Sequence, residues 1–112
     1  MSVPLYQAKA EFFKTLGHPA RIRILELLSE RDHAVHELLE EIAIEPSNLS
    51  QQLAVLRRAS LVTAHRSGGE VIYSVSVPEV RHLLLAARSI LSGVIALRGD
   101  LEAELSSAVR TR

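Results

Sequence analysis

The chain has 112 residues, with 13 Lys and Arg against 13 Asp and Glu, 47% hydrophobic residues and no cysteine. This length predicts a single domain, residues 1–112. Without a thiol there is no disulfide, no cysteine-ligated metal, no thiol nucleophile and no cysteine redox sensor. The net charge of zero argues at first against nucleic acid, because DNA-binding domains usually present a basic face.

The charges are unevenly distributed along the chain. Residues 1–23 carry a net charge of +3, residues 24–45 a net charge of −6, and residues 46–69 a net charge of +3 without any acidic residue. A partner meets a local surface rather than a total charge. If the fold places residues 46–69 on one side, the neutral chain still presents a basic surface.

We expect a cytoplasmic protein without a membrane partner. The N-terminal sequence has no basic region followed by an apolar stretch, which a signal peptide requires. No uninterrupted apolar run approaches the roughly 18 residues of a membrane span. The lack of cysteine also fits a reducing compartment.

Apolar residues at helical spacing predict four helices in the first half of the chain. Gly17 ends the first helix, and Pro19 and Pro46 stand where the first turn of a helix tolerates proline. In chain order, the predicted helices cover residues 5–16, residue 19 to residues 29–32, residues 34–42 and residues 46–59. The short connection between the last two predicts a helix-turn-helix over residues 34–59, whose second helix can lie in a DNA major groove.

A β-hairpin and a long helix are predicted to follow. Two segments rich in β-branched residues flank Gly68 and Gly69, which predicts a hairpin, or wing, over residues 61–75. A helical pattern covers residues 78–108, with a break or fraying expected near Gly99. The predicted fold is mainly α with a small β-hairpin, a winged helix-turn-helix of element order α-α-α-α-β-β-α.

The last helix is longer than the core of so small a domain can cover, so part of its apolar stripe needs a partner. Together with the first helix, residues 1–16, this stripe predicts a homodimer interface. The predicted interface residues are Leu5, Phe12, Val80, Leu84, Ala87, Leu91 and Val94.

The polar first turns of the fourth helix are the predicted base-reading surface. With Leu49, Leu53 and Leu56 facing inward, the polar residues of these turns are expected to point outward. The predicted base-reading residues are Ser47, Asn48, Ser50, Gln51 and Gln52. Asn and Gln can each form two hydrogen bonds with adenine, which indicates a site containing A·T pairs. The alternative is that these side chains only hydrate an amphipathic helix.

Residues after these turns and in the wing are predicted to contact DNA phosphates, since guanidinium groups neutralise backbone charge. The predicted residues are Arg57, Arg58, Arg66, Ser67, Gly68 and Gly69. For Arg57 and Arg58 the alternative is an ion pair with an acidic residue of the third helix. Those acidic residues are Glu37, Glu40 and Glu41.

A second basic set near the start of the second helix has two open interpretations. It contacts phosphate, or it caps helices and forms ion pairs within its own chain. Its members are Lys14, His18, Arg21 and Arg23.

No metal site, cofactor or catalytic site is predicted. Among the five histidines only His33 and His36 share a helical spacing, and no acidic residue completes an evident ligand set. The chain has no thiol, no Gly-rich phosphate loop and no paired carboxylates in a plausible cleft, so we do not expect an enzyme.

Three segments, in order, carry a family resemblance: GHPARIRILELL, SNLSQQLAVLRRASLV and RSGGEVIYSV. Over residues 10–98 the chain resembles the ArsR-type family of bacterial winged-helix repressors, whose recognition helix ends in LRxAGLV. The resemblance implies a homodimeric repressor that binds a pseudo-palindromic operator in double-stranded DNA and releases it when an effector binds. The alternative is a winged-helix interaction module that does not read DNA sequence.

The sequence departs from this family at both metal sites and at one turn. Residues 34–36 are Ala-Val-His where the family has Cys-Val-Cys. The second metal site corresponds to Val77, Glu79, Ile90 and Gly93. A single carboxylate cannot hold a tetrahedral metal, so the effector stays unknown. Ala43 stands where the turn usually has glycine, and a left-handed backbone there would cost roughly 1–2 kcal/mol.

Overall fold

A computed structural model of the chain has the predicted helices and hairpin, with one additional short strand. The elements are α1 (Leu5–Leu16), α2 (Pro19–Glu30), β1 (His33–Ala34), α3 (Val35–Glu41), α4 (Pro46–Arg58), β2 (Val62–Ser67), β3 (Glu70–Val75) and α5 (Glu79–Arg110). The structure describes the backbone of residues 2–110 and the side chains of residues 2–100 and 103. The predicted fold class, mainly α with a small antiparallel hairpin, is confirmed.

The additional strand turns the hairpin into a three-stranded antiparallel sheet of order β1-β3-β2. His33 lies opposite Tyr73 and Ala34 lies opposite Ile72. A strand of two residues has no periodicity that a sequence could reveal, and its existence depends on a partner about 40 residues away. The prediction that the third helix begins at residue 34 was therefore early by one residue.

The core of the first 81 residues forms around α2, which contacts α1, α4 and β3. The largest fully buried side chains are Ile24, Leu25, Leu38, Leu49 and Leu56. Burying a leucine side chain contributes about 1.5–3 kcal/mol. Leu49 and Leu56 thus hold one face of α4 against the core and leave its opposite face to solvent.

The contacts within the chain divide it into two compact units, Met1–Arg81 and His82–Arg112. The single-domain organisation stays a prediction, and the side chains at the end of the predicted 78–108 segment lie outside the described residues. The expected break near Gly99 was wrong, because α5 runs through that glycine without interruption. A glycine costs a helix no more than about 1 kcal/mol, which one residue in a helix of 32 does not need to avoid by breaking.

The segment Glu79–Asp100 of α5 is long and apolar enough to cross a membrane by length and composition alone, with a mean hydropathy of 1.5. Arg88 and Arg98 interrupt its apolar residues, so the segment has this hydropathy without being an unbroken apolar run. One such helix is weak evidence for a membrane, since apolar helices that pack on protein pass the same test.

Candidate nucleic-acid interface

The first turns of α4 present a polar surface. Ser47, Ser50 and Gln51 are exposed and Asn48 is half-buried, whereas Leu49 is fully buried. Pro46 at the first helical position starts α4, because its missing N–H would have no partner in the helix there. These side chains can donate and accept hydrogen bonds at a helix surface, which is the chemistry that reads base edges.

Gln52 does not belong to this exposed surface. Its side chain is only 8% exposed, and it bonds to Arg21 and Asn48. The expectation that Gln52 points outward was therefore wrong. Gln52 follows Leu49 by three residues and precedes Leu56 by four, so it lies on the buried face of the helix, where its polar atoms need partners.

The second basic set makes contacts within its own chain. His18 caps α2 by accepting a backbone N–H at its Nδ1 atom, and Arg23 lies 3.5 Å from Glu26. Nε of Arg21 donates to the carbonyl oxygen of Thr15 over 2.6 Å. Of the two interpretations of this set, capping and intramolecular pairing describe these three side chains.

The arginines that follow the polar turns are available to a partner. Arg57, Arg58 and Arg66 are exposed and form no ion pair with any described residue. Glu37, one of the proposed acidic partners, lies instead 3.0 Å from Arg31. The stretch of residues 46–69 therefore keeps its excess positive charge on exposed side chains.

The tip of the wing is a two-residue turn. Gly68 and Gly69 have φ angles of +56° and +84°, and Ser67 pairs with Glu70 across the turn. Two consecutive residues with positive φ match the twist of a hairpin and require glycine or a residue that tolerates this backbone. Nothing lies within 4 Å of a Cβ at either glycine, so conformation and not space selects glycine here.

The connection from α4 to the wing passes through a left-handed residue. Ser60 has a φ angle of +61°, the only positive φ at a non-glycine residue in the described chain. The N–H of Leu61 donates to the carbonyl of Leu56 over 3.0 Å, which is the bond that closes a Schellman motif. Because Ser60 alone has a positive φ angle among these non-glycine residues, Ala43 is not left-handed. The turn between α3 and α4 therefore does not carry the expected steric cost of a left-handed alanine.

The start of α3 is fixed by Glu37. Its Oε1 atom accepts the backbone N–H of Ala34 over 2.8 Å, while alanine offers no reciprocal cap. This backbone hydrogen bond, and then the hydrogen bond from Arg31, lower the pKa of Glu37 below its usual value of 4.5. His36 lies 3.1 Å from Glu70, so an ion pair also joins α3 to the first residue of β3 when His36 is protonated.

Comparison with known proteins identifies the family of proteins to which the chain belongs. The profile of the bacterial regulatory protein arsR family matches residues 18–64. An HTH-type transcriptional regulator of Mycobacterium tuberculosis, Rv0081, is 59% identical over 98 residues, which are 87% of this chain and 86% of the relative. The chain belongs to the ArsR family.

Two solved structures have the fold of this chain. The crystal structure of Mycobacterium tuberculosis Rv0081 superposes with a TM-score of 0.78 over 87% of this chain and 98% of that one, at 59% identity. The transcriptional repressor BigR of Xylella fastidiosa superposes with a TM-score of 0.72 over 76% of this chain and 87% of that one, at 33% identity. This ArsR-family chain is thus a DNA-binding transcriptional regulator and not an enzyme, as predicted.

The predicted dimer residues of this ArsR-family chain differ in exposure. Leu5, Ala87, Leu91 and Val94 are exposed, and Phe12 and Leu84 are half-buried. Val80 is only 2% exposed, so its expected contact with a partner was wrong. It follows Pro78 in the first turn of α5 and belongs to the core of the unit Met1–Arg81.

Two contacts of the ArsR-family fold escaped sequence reasoning. The bond between Arg21 and Gln52 joins residues 31 positions apart, and no spacing rule connects them. His33 is 3% exposed and its Nδ1 atom lies 2.8 Å from the carbonyl oxygen of Arg31. Within the described residues no group of three metal-ligating side chains occurs.

Proposed function

We propose that this ArsR-family regulator is a cytoplasmic homodimeric repressor of a pseudo-palindromic operator. The observation that supports it is the joint exposure of the polar first turns of α4 and of Arg57, Arg58 and Arg66. In this proposal the first turns of α4 enter the major groove, while the arginines and the wing residues contact the phosphates.

Names of similar proteins support the finer parts of the proposal. BigR of Xylella fastidiosa is a transcriptional repressor. The structure of Mb0332 from Mycobacterium bovis, 24% identical with a TM-score of 0.71, is a homodimeric winged helix-turn-helix domain. Two copies of α4 in such a dimer would read two half-sites about 34–36 Å apart.

Selection of bound sequences from random DNA, followed by gel shifts over a series of salt concentrations, tests the proposal. We expect a palindromic consensus and a specific complex whose affinity falls steeply between roughly 50 and 200 mM salt. Binding that never discriminates the selected sequence from random DNA would contradict the proposal and favour an interaction module.

A further inference from the structure

A chain of three hydrogen-bonded side chains joins α2 to the first turn of α4. Nη1 of Arg21 lies 2.8 Å from Oε1 of Gln52, and Nε2 of Gln52 lies 2.9 Å from Oδ1 of Asn48. Arg21 is held in turn by its bond to the carbonyl oxygen of Thr15. All three side chains are buried or half-buried, so their geometry is constrained by packing.

Arg21 sets the direction of donation in this chain. A guanidinium group has only donors, so Gln52 must face it with its carbonyl oxygen and must direct its NH2 group to Asn48. An NH2 group only donates, so Asn48 must meet it with Oδ1. The opposite orientation of either amide would bring two donors or two acceptors together.

The NH2 group of Asn48 consequently takes no part in this chain of hydrogen bonds. Its Nδ2 atom has no hydrogen-bond partner among the described residues, although every buried side-chain nitrogen and oxygen there has one. Nδ2 is therefore accessible to solvent. It stands in the turn that also exposes Ser47, Ser50 and Gln51.

We propose that Arg21 is a positioning residue that orients Asn48, through Gln52, to offer DNA a hydrogen-bond donor. The partner of Nδ2 is then an acceptor, either a base atom such as guanine O6 or N7, or a phosphate oxygen. This inference rests on the proposed role of α4 and narrows it. Guanine offers this donor two adjacent acceptors, O6 and N7, whereas adenine offers only N7 and thymine only O4.

The variant Gln52→Glu reverses the polarity. It keeps the shape of the side chain and the bond from Arg21, but it replaces the NH2 donor by a second acceptor. Asn48 must then rotate its amide and donate Nδ2 inward, which turns Oδ1 toward DNA. We expect base preference at the Asn48 contact to shift toward the bases that present a donor, adenine at N6 and cytosine at N4, by about 2- to 12-fold, the range of one neutral hydrogen bond.

The experiment uses the full chain and the operator selected by the wild type. Asn48→Ala first locates the contact, as the base pair at which preference is lost. Gln7→Glu is the matched control, since it makes the same exchange of an amide for a carboxylate on the exposed surface of α1, outside the three-residue chain. It should leave preference at the Asn48 base pair unchanged.

Two further results distinguish the source of the acceptor. If Asn48→Ala weakens binding to all sequences equally, the acceptor is a phosphate oxygen, and Gln52→Glu must then weaken all sequences equally too. Asn48→Asp is the second variant, because it keeps the bond from Gln52 and replaces the outward donor by a charged acceptor. It must reproduce the loss at the same contact if Gln52→Glu does not fold.

Amide proton exchange in the free protein gives an independent readout. The side-chain NH2 protons of Asn48 should exchange fast in the wild type and slowly in Gln52→Glu. A folded Gln52→Glu protein with wild-type base preference and wild-type exchange overturns the inference and leaves the proposed function intact. A wild type without any specific complex overturns the proposed function, and the contact of Asn48 with DNA falls with it.

Discussion

Ser60 carries a conformational cost that its neighbours do not. Its φ angle of +61° lies in the left-handed region, which costs an L-residue roughly 1–2 kcal/mol. The carbonyl oxygen of Ser60 also accepts a hydrogen bond from Oγ of Ser76 over 2.7 Å. The N–H of Ser60 donates to the carbonyl oxygen of Arg57 over 2.9 Å. Both of these bonds use the backbone of residue 60, so the serine side chain contributes nothing to them.

We predict that Ser60→Gly stabilises the fold by about 1 kcal/mol, because glycine adopts this backbone without the steric cost. Urea unfolding of both proteins measures the difference. Ala59→Gly is the matched control, since Ala59 has a φ angle of −81° and glycine there should destabilise by about 0.5–1 kcal/mol. Equal stability of Ser60→Gly and the wild type would contradict the prediction.

Gln51 is exposed and does not belong to the hydrogen-bonded set of Arg21, Gln52 and Asn48, so it tests base reading separately. We predict that Gln51→Ala lowers discrimination among operator variants by about 1–3 kcal/mol while nonspecific affinity is retained. Gel shifts with a panel of single-base operator variants measure this. Gln7→Ala, on the exposed surface of α1, should change nothing. Unchanged discrimination in Gln51→Ala would refute its role.

The third helix is short and depends on its end contacts. With seven residues, α3 is far below the length at which an isolated helix is stable in water. Leu38 anchors it in the core, and Glu37 closes its first turn. The helix-turn-helix therefore owes part of its geometry to one carboxylate.

The lowered pKa of Glu37 predicts a pH dependence of stability. Because the folded pKa lies below the usual 4.5, the ionised carboxylate stabilises the fold above that pH, and this contribution is lost as pH falls through the folded pKa. Glu37→Gln should be less stable than the wild type at neutral pH and should converge with it in acid. Unfolding curves at several pH values test this, with the exposed Glu41→Gln as control. A difference that persists in strong acid would point to packing instead.

In the proposed complex with DNA, the wing contributes through the charge of Arg66. We predict that Arg66→Ala weakens binding to all sequences and flattens the slope of log affinity against log salt by roughly one unit or less. Gel shifts over a salt series give the slope. Arg23→Ala is the control, since Arg23 pairs with Glu26 in its own helix. A wild-type slope in Arg66→Ala would remove the wing from the interface.

At the scale of the whole molecule, the main feature is the set of large apolar side chains that α5 exposes to solvent. Leu91 is 59% exposed, Ile90 is 65% exposed and Val94 is 39% exposed. Exposed apolar surface of this extent is typical of association sites. The proposed homodimer gives this surface a partner, and it also supplies the second recognition helix that a palindromic operator needs.

We predict that Leu91→Asp shifts the protein from dimer to monomer and lowers operator affinity, because a buried unpaired carboxylate destabilises an apolar interface by several kcal/mol. Sedimentation measures the mass of each form. Ser89→Asp, on the opposite side of the same helix, adds the same charge and should stay dimeric. A Leu91→Asp dimer of wild-type stability would exclude this face as the interface.

Local sequence was sufficient for the helices and for the wing. The residues that predict these elements act on their own backbone, so their effects can be predicted without knowledge of distant contacts. They are the prolines in the first turns of α2 and α4, the glycine after α1 and the two glycines at the hairpin tip. The same holds for the leucine spacing of α4, which already predicts its buried face.

Long-range packing settled the remaining features. β1 exists because β3 offers its edge to His33 and Ala34, and Gln52 is buried because Arg21 supplies the donor that its carbonyl oxygen needs. Each of these states depends on a partner far away along the chain, whose position is defined only after the helices have packed, and periodicity carries no information about it.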